Sequence, residues 1–201
     1  MLSDLGSDGL QLFSAIFVFL AGGMLALSLC RYFRVSTSRA MALYLWHTLF
    51  SLVYLAYVIN FGGDAMMYFR SSLSGDLGFA FGTLGVRYVV SFLSQVLGLS
   101  FLGCSLFFQI FGFIGLLAFD AALREVTWEK SRNIRLLASL IVFLPSVSFW
   151  SSGLGKDSLS FCAMGLALWA ALSLKRRWWL LIIAMLIMLL VRPHMAGMLG
   201  L

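Results

Sequence analysis

Residues 99–119 read LSFLGCSLFFQIFGFIGLLAF, a run without one charged side chain. An α-helix advances about 1.5 Å per residue, so crossing the hydrocarbon core of a bilayer takes about 20 apolar residues. A continuous run of this length reads as a membrane-crossing helix, because a barrel strand is a shorter segment of alternating polarity. The composition agrees: 62% of the chain is hydrophobic, 11% is charged, and the mean hydropathy is +1.00. Soluble domains carry about 25% charged residues, so too little charge is present to coat a water-facing surface. A soluble globular domain is excluded, as are the disordered, collagenous and disulfide-framework classes. The expected fold is all-α: a polytopic helical membrane protein, residues 1–201 forming a single integral membrane domain.

Charge sets the order of the other segments around this run. It is followed by LREVTWEKSRNIR, residues 123–135, with Arg124, Lys130, Arg132 and Arg135. Arg31, Arg34 and Arg39 form a second basic cluster, and Lys175, Arg176 and Arg177 a third. These clusters between apolar runs are what the positive-inside rule asks of cytoplasmic loops. They account for the net charge of +6 without a nucleic-acid partner. The expected spans are residues 10–30, 40–61, 99–119, 136–150, 158–174 and 178–191, with the N-terminus outside. Residues 79–98 are apolar enough for one more crossing, but that crossing would turn Arg124 to Arg135 outward. Residues 85–98, GVRYVVSFLSQVLG, are therefore expected to form a juxtamembrane helix on the outer leaflet, with Arg87 and Gln95 as its polar side. The chain ends on MAGMLGL, the start of another apolar segment, so a continuation is expected and the domain reads as C-terminally incomplete. Cys30, Cys104 and Cys162 lie far apart in apolar runs and read as small hydrophobes. His47, alone within the second span, reads as an interhelical hydrogen-bonding residue, and Asp120 as structural.

The remaining charges all fall on the outer side: Arg70, Arg87, Lys156 and Arg192, with Asp4, Asp8, Asp64, Asp76 and Asp157. Charges at the ends of apolar helices are costly unless they pair, snorkel or line a polar cavity. Three clusters follow from this. The first is GGDAMMYFR, residues 62–70, in which Asp64 has the Tyr68 phenol one helical turn on. A carboxylate so held can act as a general base or metal ligand, or simply cap a short helix. The second is PSVSFWSSGLGKD, residues 145–157. It reads either as a helix end and turn with Asp157 as N-cap, or as an anion site made by Lys156 and a helix N-terminus. In the third, Arg192-Pro193-His194, the proline breaks a helix where a guanidinium suited to a diphosphate and an imidazole suited to proton transfer come together.

GGDAMMYF after the second span, then LPSVSFWSSGLGKDSLSF and LLVRPHMAG, resemble bacterial membrane glycosyltransferases and polysaccharide polymerases of the GT-C type, nearest to the EpsG and Wzy groups. In those families a Gly-Asp-x-x-x-Tyr stretch in the first outer loop precedes an outer juxtamembrane helix. A basic-polar pair then opens a membrane helix, and a later hydrophobic helix ends at a histidine. The pair here is Lys156-Asp157 where many relatives have Arg-Gln. The resemblance implies transfer of a sugar or glycan from a polyprenyl-phosphate-type carrier to an acceptor hydroxyl, on the outer face of a bacterial inner membrane. Asp64 is then the general base, with Tyr68 and Arg70 positioning. Lys156, Arg192 and Arg87 neutralise the leaving phosphate, Asp157 accompanies Lys156, and His194 contacts acceptor or phosphate.

Two other classes are compatible with the sequence. A transporter or flippase of lipid-linked glycans would carry charged or broken helices at mid-membrane in repeated halves, whereas these spans are uncharged at their centres apart from His47. A non-catalytic subunit of a glycan assembly complex would use the outward charges as partner contacts. The expected partners are the lipid-linked glycan and membrane lipids. No cofactor is expected, and a divalent metal stays open, since the outward carboxylates have no ligand-like spacing.

Overall fold

The computed structural model describes residues 9–74 and 78–199. Asp4, Asp8 and Asp76 lie outside the described residues. Every regular element described is helical: α1 (Gly9–Tyr32), α2 (Thr37–Phe61), α3 (Asp64–Ser72), α4 (Thr83–Ser91), α5 (Phe101–Val126), α6 (Arg132–Val142), α7 (Pro145–Ser151), α8 (Lys156–Ala171), α9 (Leu174–Val191) and α10 (Pro193–Leu199). Hydroxyl caps set two of the long helices, Ser36 accepting from the Arg39 N–H and Ser100 from the Gly103 N–H.

Among the described residues, four stretches are long and apolar enough to cross a bilayer: Gln11–Tyr32, Thr37–Phe61, Phe101–Val126 and Arg132–Ser151. This is compatible with a multi-pass membrane protein. The most apolar part of α5 is 72% buried and that of α1 only 22%, so α5 is the core and α1 an outer wall. Phe13, Phe17 and Met24 of α1 are each more than 60% exposed, a stripe that water would not tolerate and lipid would. α5 packs on α8, α1 and α2. Its contact with α8 is backbone on backbone: a Cβ built on Gly165 would stand 2.3 Å from the Gly115 carbonyl oxygen. Without a hydrophobic force between helices in lipid, such small-residue contacts let dispersion hold them together.

The six expected spans correspond to helices of different character. The fourth is interrupted. Pro145 forces Leu144 into an extended conformation (φ −61°, ψ 127°) and starts α7 as a separate helix. The fifth, α8, has 16 residues, and α9 takes Lys175, Arg176 and Arg177 inside its first turn, where a loop had been expected. The third extends to Val126, past Asp120 and Arg124. The segment expected over residues 85–98 starts at Thr83 and passes into a π-helical turn, Phe92–Val96. Its polar side faces protein: Gln95 donates to the Ser72 carbonyl of α3, and the Ser72 and Ser94 hydroxyls are 3.0 Å apart.

The bundle has two unlike ends. At one, the buried Asp120 carboxylate of α5 accepts from Arg39 of α2 at 2.6 Å and from Arg124 at 2.9 Å. Between the ends, Gln109 of α5 donates to Thr48 of α2 at 3.0 Å. That is the interhelical bond expected of His47. His47 is fully buried beside the Ser151 backbone of α7, and neither ring nitrogen makes a well-formed hydrogen bond among the described residues. The other end gathers the start of α3, α4 and α8 and the close of α2 and α9.

Candidate functional site

The site begins where α2 stops. The Gly62 N–H closes the helix on the Val58 carbonyl at 2.8 Å, and Gly62 and Gly63 have φ of +80° and +145°. Side chains other than hydrogen are strained there, so this glycine pair turns the chain within two residues into α3. Gly63 is the N-cap and Asp64 the first helical residue, not the cap itself. Asp64 is exposed, and Tyr68, four residues on and therefore on the same helix face, is 2% exposed. Burial pushes the Tyr68 phenol up to about 12, the Asp64 and Asp157 carboxylates add to the shift, and Arg192 opposes it. The phenol therefore stays protonated at neutral pH, a form that can donate a hydrogen bond.

α8 supplies the second wall. Gly155 is its N-cap, so Lys156 and Asp157 stand in the first turn rather than Asp157 in the capping position. Lys156 Nζ donates to Thr83 Oγ1 at the start of α4, at 2.6 Å, instead of snorkelling freely. The third wall comes from the end of α9. Pro193 has no N–H to continue the helix and drives Arg192 out of it, to φ −142° and ψ 76°. The freed Leu190 carbonyl accepts from the Gly82 N–H at 2.8 Å, which ties the start of α4 to this helix end. Arg192 then donates to Asp157 Oδ1 at 2.5 Å.

These three walls enclose two adjoining hollows. The first, about 280 Å³, is lined by Asp64, Tyr68, Tyr54, Lys156, Asp157 and Arg192, among others. The second, about 530 Å³, has Thr83, Pro193 and His194 together with Asp64, Lys156 and Arg192. Asp64, Lys156 and Arg192 line both, so a carboxylate and two cations share one boundary. Among the described residues no group of three or more His, Cys, Asp and Glu comes together in a way that can hold a metal ion.

Six of the eight residues picked out from sequence thus line the paired hollows: Asp64, Tyr68, Lys156, Asp157, Arg192 and His194. Arg70 and Arg87 do not. Arg70 is six residues from Asp64, which turns it about 240° around α3, and it is exposed. Arg87 is one turn past Thr83, half-buried, with its Nε unpartnered among the described residues. The lining residues that sequence reasoning missed include Thr83, Tyr54 and Tyr57. Thr83 sits after a glycine at a helix start, which was the available signal. Tyr54 and Tyr57 lie within the apolar run of α2 and had none. No family model, curated protein or solved structure matches the chain.

Proposed function

We propose that the chain is a membrane glycosyltransferase or polysaccharide polymerase that moves a sugar or glycan from a polyprenyl-phosphate-type carrier to an acceptor hydroxyl. The observation that supports this best is the boundary shared by the two hollows, where the Asp64 carboxylate stands with Lys156 and Arg192. A lipid-linked anionic donor needs cations for its phosphate and a base for its acceptor, and the two adjoining hollows allow one for each. In the reaction the acceptor oxygen forms a bond to the anomeric carbon as the bond from that carbon to the phosphate oxygen breaks. The electron pair leaves with the phosphate, and the hydroxyl proton passes to Asp64. Lys156, held in place by Thr83, and Arg192, released from Asp157, take up the charge that develops on the phosphate. Tyr68 donates a hydrogen bond, and His194 contacts the acceptor or the phosphate from the second hollow.

The same reading counts α8 and α9 as the fifth and sixth spans, the α3–α4 region as an outer-leaflet structure, and the Asp64 end as the outer face. Asp64→Asn is expected to abolish glycan product while the protein still inserts and folds, measured as lipid-linked product formed by membranes containing the variant. Normal product from it would remove Asp64 from the chemistry. Lys156→Gln with Arg192→Gln separates an enzyme from a scaffold: loss of complex assembly with synthesis intact would overturn the phosphate site.

A further inference from the structure

At the end of the bundle away from Asp64, a further charged hollow of about 560 Å³ lies between α2, the close of α5 and the start of α6. Arg39, Arg124, Arg132 and Arg135 line it together with Trp128 and Leu136. Asp120, its side chain 1% exposed, answers two of these guanidinium groups, Arg39 and Arg124. Arg124 is further occupied by the Phe33 and Arg34 carbonyls, at 3.1 and 2.8 Å. Arg132 and Arg135 are exposed and have no ion-pair partner among the described residues. The Arg135 guanidinium lies 5.8 Å from the ring centroid of Trp128, which is 73% exposed.

The excess of unanswered guanidinium groups calls for an anion, and their planar forks match the oxygens of a phosphate. The apolar side chains next to them narrow the choice. Leu136, Leu137 and Leu140 of α6 are between 53% and 63% exposed and continue directly from the arginines. An exposed indole beside them has the amphipathic character of a residue at headgroup level. A free phosphate ion has no use for this apolar surface, whereas an acyl chain does.

We propose that this hollow is a binding site for an anionic phospholipid. Arg132 and Arg135 hold its phosphodiester, and the acyl chains lie along α6. Basic recesses between membrane helices bind anionic headgroups in this way. The lipid takes no part in the reaction proposed for the Asp64 hollows, so either assignment can fail without the other.

The full chain is purified from an equal mixture of phosphatidylglycerol and phosphatidylcholine, and the retained lipid is identified by native mass spectrometry. Phosphatidylglycerol is expected to be kept selectively. Arg132→Gln with Arg135→Gln is expected to lose that preference by about twenty-five-fold, since each cation near an anionic surface is worth about fivefold. Lys175→Gln with Arg176→Gln, which removes the same charge from exposed positions outside the hollow, is expected to keep it. Equal retention of the two lipids by the unaltered chain overturns the site, and so does an equal loss in the Lys175 and Arg176 control. Displacement of the lipid by excess inorganic phosphate would mean that the hollow recognises the ion alone and would overturn the lipid assignment.

Discussion

Tyr68 is the residue whose surroundings speak most directly to its role. Its phenol is raised by burial and by two nearby carboxylates, to about 12. A group whose folded pKa lies above its unfolded value of about 10 contributes stability that is fully present below pH 10 and is lost as pH rises toward 12. The tyrosinate absorbance of the unaltered protein minus that of Tyr68→Phe is expected to rise with a midpoint near 12, and a midpoint near 10 would contradict a buried phenol. Asp157 poses a different question. Its bond to Arg192 is short, but the two side chains are 58% and 37% exposed, so the pair adds less than about 1 kcal/mol to stability. Asp157→Asn should leave the thermal midpoint nearly unchanged while the released Arg192 binds a short-chain polyprenyl phosphate about two- to fivefold more tightly, measured by calorimetry. Weaker binding instead would mean that Asp157 holds Arg192 in its binding orientation.

At the scale of elements, prolines and glycines explain what hydropathy alone did not. Pro145 divides one apolar run into α6 and α7, and Pro193 turns Arg192 off the end of α9 toward α8. Both prolines are visible in the sequence, and the break at Pro193 was read from it. The division at Pro145 was missed because the residues on either side remain apolar, so a hydropathy profile passes over the break. The contact of α5 with α8 depends on two residues without side chains, Gly115 and Gly165. Gly165→Val is expected to force these helices apart at a cost of about 1–3 kcal/mol, seen as a lower thermal midpoint in detergent. An unchanged midpoint would mean that the helices can shift to accept the added bulk. The partner of Gly115 could not be named from sequence, since a glycine in an apolar run looks the same whether it faces lipid or another backbone.

The whole molecule is polarised, with Asp64, Lys156 and Arg192 at one end and the arginines around Asp120 at the other. The proposed orientation turns the Asp64 end outward. Cys30, Cys104 and Cys162 are buried, so an exposed cysteine can be introduced against a quiet background. Asn60→Cys, beside the Asp64 end, is expected to react with a membrane-impermeant maleimide on intact cells, and Ser131→Cys, at the arginine end, only after lysis. The opposite pattern would invert the topology. Low charge content alone determined that the chain is apolar enough for a bilayer, because too few ionisable groups exist to hydrate a surface, and the long continuous apolar runs determined that it is helical. Scarcity also made the candidate residues legible: few charges had no place in the basic clusters, and four of these, Asp64, Lys156, Asp157 and Arg192, line the paired hollows. Only the tertiary structure decided that Arg70 and Arg87 stand apart from them, that Thr83 and Tyr54 belong, and that Asp120 braces Arg39 and Arg124. Each of these depends on which helices meet and at what rotation, and that is fixed by contacts between residues far apart in sequence, such as Lys156 with Thr83 and Arg39 with Asp120.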